Sequence, residues 1–177
     1  MHLRELRASD EAEYLRVHER SRAEFGPWMP TASPEGLFER ALATSSYEGR
    51  DGRTHVRFVG ETPDERIAAL FALGEIVRGY FRSAYASWAV SSEYTNQGYG
   101  TEGVLGLLDI AFSERRGLGL HRVQANIIPA NGASLRVAEK AGFRREGLAE
   151  RYLLIANGWQ DHVMHAKTAE EHELRYL

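Results

Sequence analysis

The chain has 177 residues, 43% of them hydrophobic and 27% charged, a composition ordinary for a globular domain. At this length roughly 70% of the unfolded surface is buried on folding, so one domain over 1–177 is expected without metal or disulfide staples. The absence of cysteine removes thiol nucleophiles and thiolate metal sites, and a formal charge of −3 argues against affinity built on neutralising nucleic-acid phosphates.

No metal and no direct nucleic-acid partner are therefore expected. No run of about 20 apolar residues is present, so no membrane span is expected. Met1 to Arg7 lacks the apolar run of a signal peptide, and the cytoplasm is the expected compartment.

Residues 3–7 alternate as a short strand. Ser9-Asp10-Glu11 then offers a cap and an acidic first turn for a helix over about 10–22, broken by Phe25-Gly26-Pro27-Trp28-Met29-Pro30. Ser33-Pro34-Glu35 opens a second helix with Leu37, Ala41 and Leu42 on one side, before a polar stretch at 45–53. From Thr54 the period becomes that of strands. Runs at 55–59 and 67–76 form a hairpin about Glu61-Thr62-Pro63-Asp64, and 83–90 follows as an antiparallel neighbour.

After a glycine-punctuated loop, Val104, Leu105, Leu107, Leu108, Ala111 and Phe112 recur at helical spacing, and Gly117 and Gly119 end that helix. The apolar run 123–128 is the next strand, parallel to or splayed from 83–90. Asn131 caps a short helix that Gly142 stops, and strands at 151–155 and 159–165 are joined by Asn157-Gly158. The pattern is α+β. It contains no internal repeat or linker, and no exposed stripe on the strands points to a particular oligomer, although a homodimer is compatible with it.

Gly98-Tyr99-Gly100-Thr101-Glu102-Gly103 satisfies the G-x-G-x-x-G string of dinucleotide-binding folds. The context does not. Such a fold needs a parallel strand before the loop and an acidic residue about 20 positions later, whereas the strands here form hairpins and 123–128 holds no carboxylate. No Gly-Lys-Ser/Thr follows, which excludes a phosphate loop of that kind. Two readings remain: glycines that merely admit the chain to the helix, or a nest of backbone N–H groups over Asn96, Gln97, Gly98, Tyr99, Gly100 and Thr101. The nest, at the positive end of a helix dipole, suits a diphosphate.

Residues 88–102 resemble the pyrophosphate-binding segment of the GCN5-related N-acetyltransferases (GNAT), R/Q-x-x-G-x-G/A, with Thr95 at the usual Arg/Gln position. The resemblance continues through Pro129-Ala130-Asn131-Gly132-Ala133-Ser134, through 139–147 and 152–162, and through 76–85. The ordered set is similar to the bacterial ribosomal-protein-alanine N-acetyltransferase branch, the RimJ/RimL-like enzymes.

This resemblance implies the GNAT fold, a mixed and largely antiparallel sheet with a splayed central strand pair and flanking helices. It implies acetyl-CoA as cosubstrate and direct attack by a primary amine, so that the protein supplies positioning, oxyanion stabilisation and proton handling. It places Trp88, Ala89 and Val90 along the pantetheine, with a backbone N–H near Val90 on the thioester carbonyl. Asn131 and Ser134 lie against the cofactor near its sulfur. The Tyr that serves many members as general acid aligns with Ala138, leaving Ser134 for that role.

Some relatives place a Glu where Asn126 stands, so deprotonation is expected to pass through ordered water or another carboxylate, with Glu75, Glu146 and Asp161 as options. His121 and His162 show no paired spacing for metal or triad work. The implied acceptor is a protein N-terminal α-amine. A small-molecule amine or antibiotic, and a CoA-binding protein without turnover, stand as the alternatives.

Overall fold

The apolar run from Ile67 to Leu73 decides the architecture. Ile67, Ala68, Ala69, Phe71 and Leu73 are each at most 2% exposed, and a strand buried on both faces needs helices on both. The computed structural model describes residues 1–29, 35–46, 54–115, 117–155 and 158–173. Within it, β1 (His2–Glu5), β2 (Val56–Glu61), β3 (Ile67–Val77), β4 (Ser83–Val90), β5 (Arg122–Ile127), β6 (Arg144–Ile155) and β7 (Gly158–Thr168) form one sheet, ordered β1-β2-β3-β4-β5-β7-β6. Every neighbouring pair is antiparallel except β4 with β5.

One face carries α1 (Glu11–Arg20), α2 (Arg22–Phe25) and α3 (Leu37–Ser46), whose Tyr14, Val17, Phe25, Phe38 and Ala41 pack on Val59 and Ile67. The other carries α4 (Tyr99–Phe112) and α5 (Gly132–Lys140) over the main core. Val104, Leu107, Leu108 and Ala111 of α4 are fully buried there. A Cβ on Gly103 would stand 2.0 Å from Phe71 Cζ, so the third glycine of the string serves the packing of α4 on β3. A short α6 (Ala169–Glu173), absent from the sequence expectation, follows β7.

Several boundaries differ from expectation. The first helix breaks at Ser21 (φ −105°, ψ 17°) and resumes as α2. Asp10 makes no side-chain cap to α1. Its carboxylate accepts from Arg4 at 2.8 and 2.7 Å and from the Arg7 N–H at 2.7 Å, pinning the start of the helix to β1. Burial pushes the Asp10 carboxyl up, but Arg4 and the Arg7 amide outweigh it and hold the group below its ordinary value.

Ser45 opens no polar loop; it is buried in α3, donating to the Ala41 carbonyl at 2.9 Å. β6 begins at Arg144 rather than 151, because an exposed edge strand bearing Arg144, Arg145 and Glu146 shows no apolar period. The expected helix opening at Ser33-Pro34, the stretch 47–53 and Asn157 of the hairpin pair lie outside the described residues.

Candidate active site

The segment between β4 and α4 contains two residues in the left-handed region, Asn96 (φ 60°) and Gly98 (φ 89°), with Gly98 as N-cap of α4. Glycine reaches this conformation without the steric cost a Cβ imposes. Glu102 is the first residue of the helix whose N–H returns to the loop, donating to Gly98 O at 3.0 Å. The N–H groups of Tyr99, Gly100 and Thr101 therefore have no intrahelical acceptor and lie at the positive end of a 14-residue helix.

They border a cavity of about 440 Å³, lined also by Trp88, Ala89, Val90, Asn96, Gly98, Asn131 and Ser134. Arg136 and Lys140 of α5 line it too. These two cations suit a phosphate group, yet no motif marks them: they are ordinary surface residues of a helix until α5 docks beside the loop. Of the expected loop residues, Gln97 alone turns away, donating from Nε2 to Glu93 O at 3.2 Å.

The centre of the sheet opens beside this cavity. β4 pairs with β5 only at Ser83, Ala84 and Tyr85, opposite Arg122, Val123 and Gln124. Beyond, β4 stays with β3, where Ala69 faces Val90, and β5 stays with β7, where Met164 faces Asn126. The Ser91 N–H donates to Ala68 O, so by strand alternation Val90 and Trp88 turn their backbone groups away from β3 and into the gap. Asn131 accepts from the Ser134 N–H at 3.1 Å, the expected cap, and fixes the first turn of α5 at the edge of the gap.

Through the gap lies a second cavity of about 580 Å³. Trp88, Ala89, Asn131 and Ser134 line both, so the two volumes meet across the splay. Asn126 lines the larger one; its Nδ2 donates to the Tyr152 hydroxyl at 2.9 Å, and its buried Oδ1 has no partner. Burial, followed by the Tyr85 hydroxyl, pushes the Tyr152 phenol above its ordinary value, so Tyr152 stays protonated at neutral pH. His162, 3% exposed, lines the same cavity, its ring 5.3 Å from that of Tyr152. Neither Tyr152 nor His162 is expected in the site from the sequence, where Arg151 and Asp161 precede them and no spacing marks them.

Glu75 is not brought to the cleft. It sits at an irregular step in β3 with φ 49°, its side chain 73% exposed and 3.7 Å from His55 Nε2, and it lines neither cavity. Glu146 pairs with Arg122 and Arg144, and Arg122 holds its carboxyl below the ordinary value. Asp161 accepts from the Arg151 N–H at 2.8 Å. Neither lines a cavity. His121 pairs with Glu170 at 3.3 Å on the surface. Among the described residues no group of three or more His, Cys, Asp or Glu could hold a metal, and no helix is long and apolar enough to cross a membrane.

The acetyltransferase (GNAT) domain family matches residues 1–144. The chain belongs to the GNAT family. It is 37% identical over 99 residues to the probable N-acetyltransferase YjcK of Bacillus subtilis, covering 56% of this chain and 53% of that protein. It is 31% identical over 110 residues to the ribosomal protein uS5-alanine N-acetyltransferase of Escherichia coli, covering 62% and 55%. The matches thus span about half the length of these curated relatives.

Mycobacterium smegmatis RimJ, solved in complex with CoA-disulfide, superposes with a TM-score of 0.86 at 31% identity, covering 96% of this chain and 82% of that one. The GNAT fold with its mixed, mostly antiparallel sheet is therefore the fold of this chain, and the RimJ-like branch is the one its relatives represent.

Proposed function

We propose that this GNAT chain transfers the acetyl group of acetyl-CoA to a protein N-terminal α-amine, of the ribosomal-protein-alanine type, as one cytoplasmic domain. The observation that carries this reading is the pair of cavities joined at Trp88, Ala89, Asn131 and Ser134 beside the splay, which lets two substrates meet at one gap in the sheet.

The smaller cavity fits the cosubstrate. The first-turn N–H groups of α4, with Arg136 and Lys140, hold the diphosphate, and the backbone groups of Trp88 and Val90 in the gap hold the pantetheine. Acetyl-CoA supplies the acetyl thioester. The Val90 N–H polarises the thioester carbonyl, and the Ser134 hydroxyl donates to the departing sulfur.

The acceptor enters from the larger cavity. An α-amine has an ordinary pKa near 8 and is already about a tenth neutral at pH 7, so orientation serves it better than a strong base. Asn126, aligned by Tyr152, presents its unpartnered Oδ1 to the amine. Glu75 receives no role. The relatives named for ribosomal protein alanine support the acceptor class, and a net charge of −3 favours the approach of a basic protein.

Acetyl-CoA assayed against a panel of N-terminal peptides and small amines tests the reading. Modification of peptides is expected. Activity confined to small amines overturns the acceptor class, and CoA binding without any modified acceptor overturns turnover.

A further inference from the structure

The larger cavity carries positive charge that the transfer itself does not need. Arg57 of β2 and Arg40 of α3 line it, and no Asp or Glu does so among the described residues. Arg57 is half-buried. Its Nη1 donates to Thr44 Oγ1 and, at 3.4 Å, to Ala41 O, while Nε and Nη2 have no protein partner among the described residues.

Arg4, Arg16, Arg66, Arg82, Arg122 and Arg144 each meet a carboxylate, whereas the half-buried Arg57 meets none among the described residues. A guanidinium stays charged at every physiological pH, and a charge drawn out of water is stabilised by an opposite one. Burial lowers the affinity of Arg57 for its proton, an effect that Tyr14 offsets only in part.

We infer that Arg57 binds an anionic group on the acceptor and thereby selects substrates; on the N-terminal reading above, on which this rests, that group is Asp or Glu within the first three residues. Register supports the distance. Arg57 stands opposite Ala72, and Ala72 opposite Ser87, two residues before the junction residue Ala89. Neighbouring strands lie about 4.8 Å apart, so Arg57 is roughly 10 Å across the sheet from β4. An extended peptide advances about 3.3–3.6 Å per residue and covers that span in about three. A guanidinium meets a carboxylate in a bidentate fork, whereas a polyamine brings only further positive charge to this cavity.

Matched N-terminal peptides differing only by Asp or Asn at the second or third residue test this, read as kcat/KM on wild type, Arg57→Gln and Arg57→Lys. Wild type is expected to favour the Asp peptide by about tenfold or more, with the difference in KM. Arg57→Gln brings the ratio near one, and Arg57→Lys retains part of it. A wild-type ratio near one, or a preference that survives in Arg57→Gln, overturns the role of Arg57 while leaving the N-terminal reading intact. A second arm uses a small primary amine with and without a carboxylate. If only small amines react, the N-terminal reading fails; preference for the carboxylated amine then still supports Arg57, and equal rates overturn it.

Discussion

The two halves of the cleft are built from different materials. The cosubstrate half is largely main chain: the first-turn amides of α4, the left-handed Gly98, and the free edge of β4 at Trp88 and Val90. The acceptor half is side chains drawn from α1, α3, β2, β5, β6 and β7, with Tyr14, His18, Arg57, Asn126, Leu153 and His162 far apart in the chain. Amides at a helix start and an unpaired strand edge require only a backbone path, so one short glycine-bearing segment specifies them. A wall of side chains requires the whole sheet to fold first. On the proposed reading, the first half would receive the CoA thioester and the second would select the amine.

The largest effect is expected from breaking the main-chain half. Gly98→Val puts a β-branched residue at φ 89° and a side chain at the diphosphate amides. Loss of one or two charge-assisted hydrogen bonds corresponds to about a hundredfold weaker CoA binding by calorimetry, with the far-UV spectrum unchanged. Affinity within about twofold of wild type would mean that the loop amides do not hold the phosphates.

At the junction, Ser134→Ala keeps the N–H that Asn131 caps and removes only the hydroxyl. A fall in kcat of about a hundredfold is expected with little change in either KM, as for the loss of one donor to a developing charge. An unaltered kcat would remove Ser134 from the chemistry.

The smallest effect concerns pH and separates the halves by their titratable content. His18 lines the acceptor cavity with a buried, unpartnered Nε2, and burial holds its pKa below the ordinary 6.5. As pH falls through about 6.5 the unfolded chain takes up this proton first, so stability contributed by neutral His18 is present above that pH and declines below it. His18→Phe should therefore narrow the drop in melting temperature between about pH 7.5 and about pH 5.5. An equal drop in both proteins would count against a desolvated His18.

The same division explains what the sequence could convey. The α4 amphipathic run, the β2–β3 hairpin, the Asn131 cap and the β4–β5 splay were all legible, because periodicity, capping residues and a stretch resembling a known segment record local backbone geometry. The placing of Arg57 and His162 on one cavity, and of Tyr152 beside Asn126, was not, since it depends on strand order and register across residues 57 to 162. Glu75 shows the converse. Its place on a strand next to β4 made it a reasonable base by sequence, but at φ 49° its side chain is 73% exposed, beside His55 and away from the gap.

The most direct test is a crystal structure of the complex with acetyl-CoA. The diphosphate should lie on the amides of Tyr99, Gly100 and Thr101, with the pantetheine between β4 and β5 and the acetyl group beside Ser134 at the mouth of the larger cavity. A diphosphate bound away from the α4 N-terminus, or a pantetheine that runs outside the splay, would contradict the division of the cleft into a main-chain half and a side-chain half.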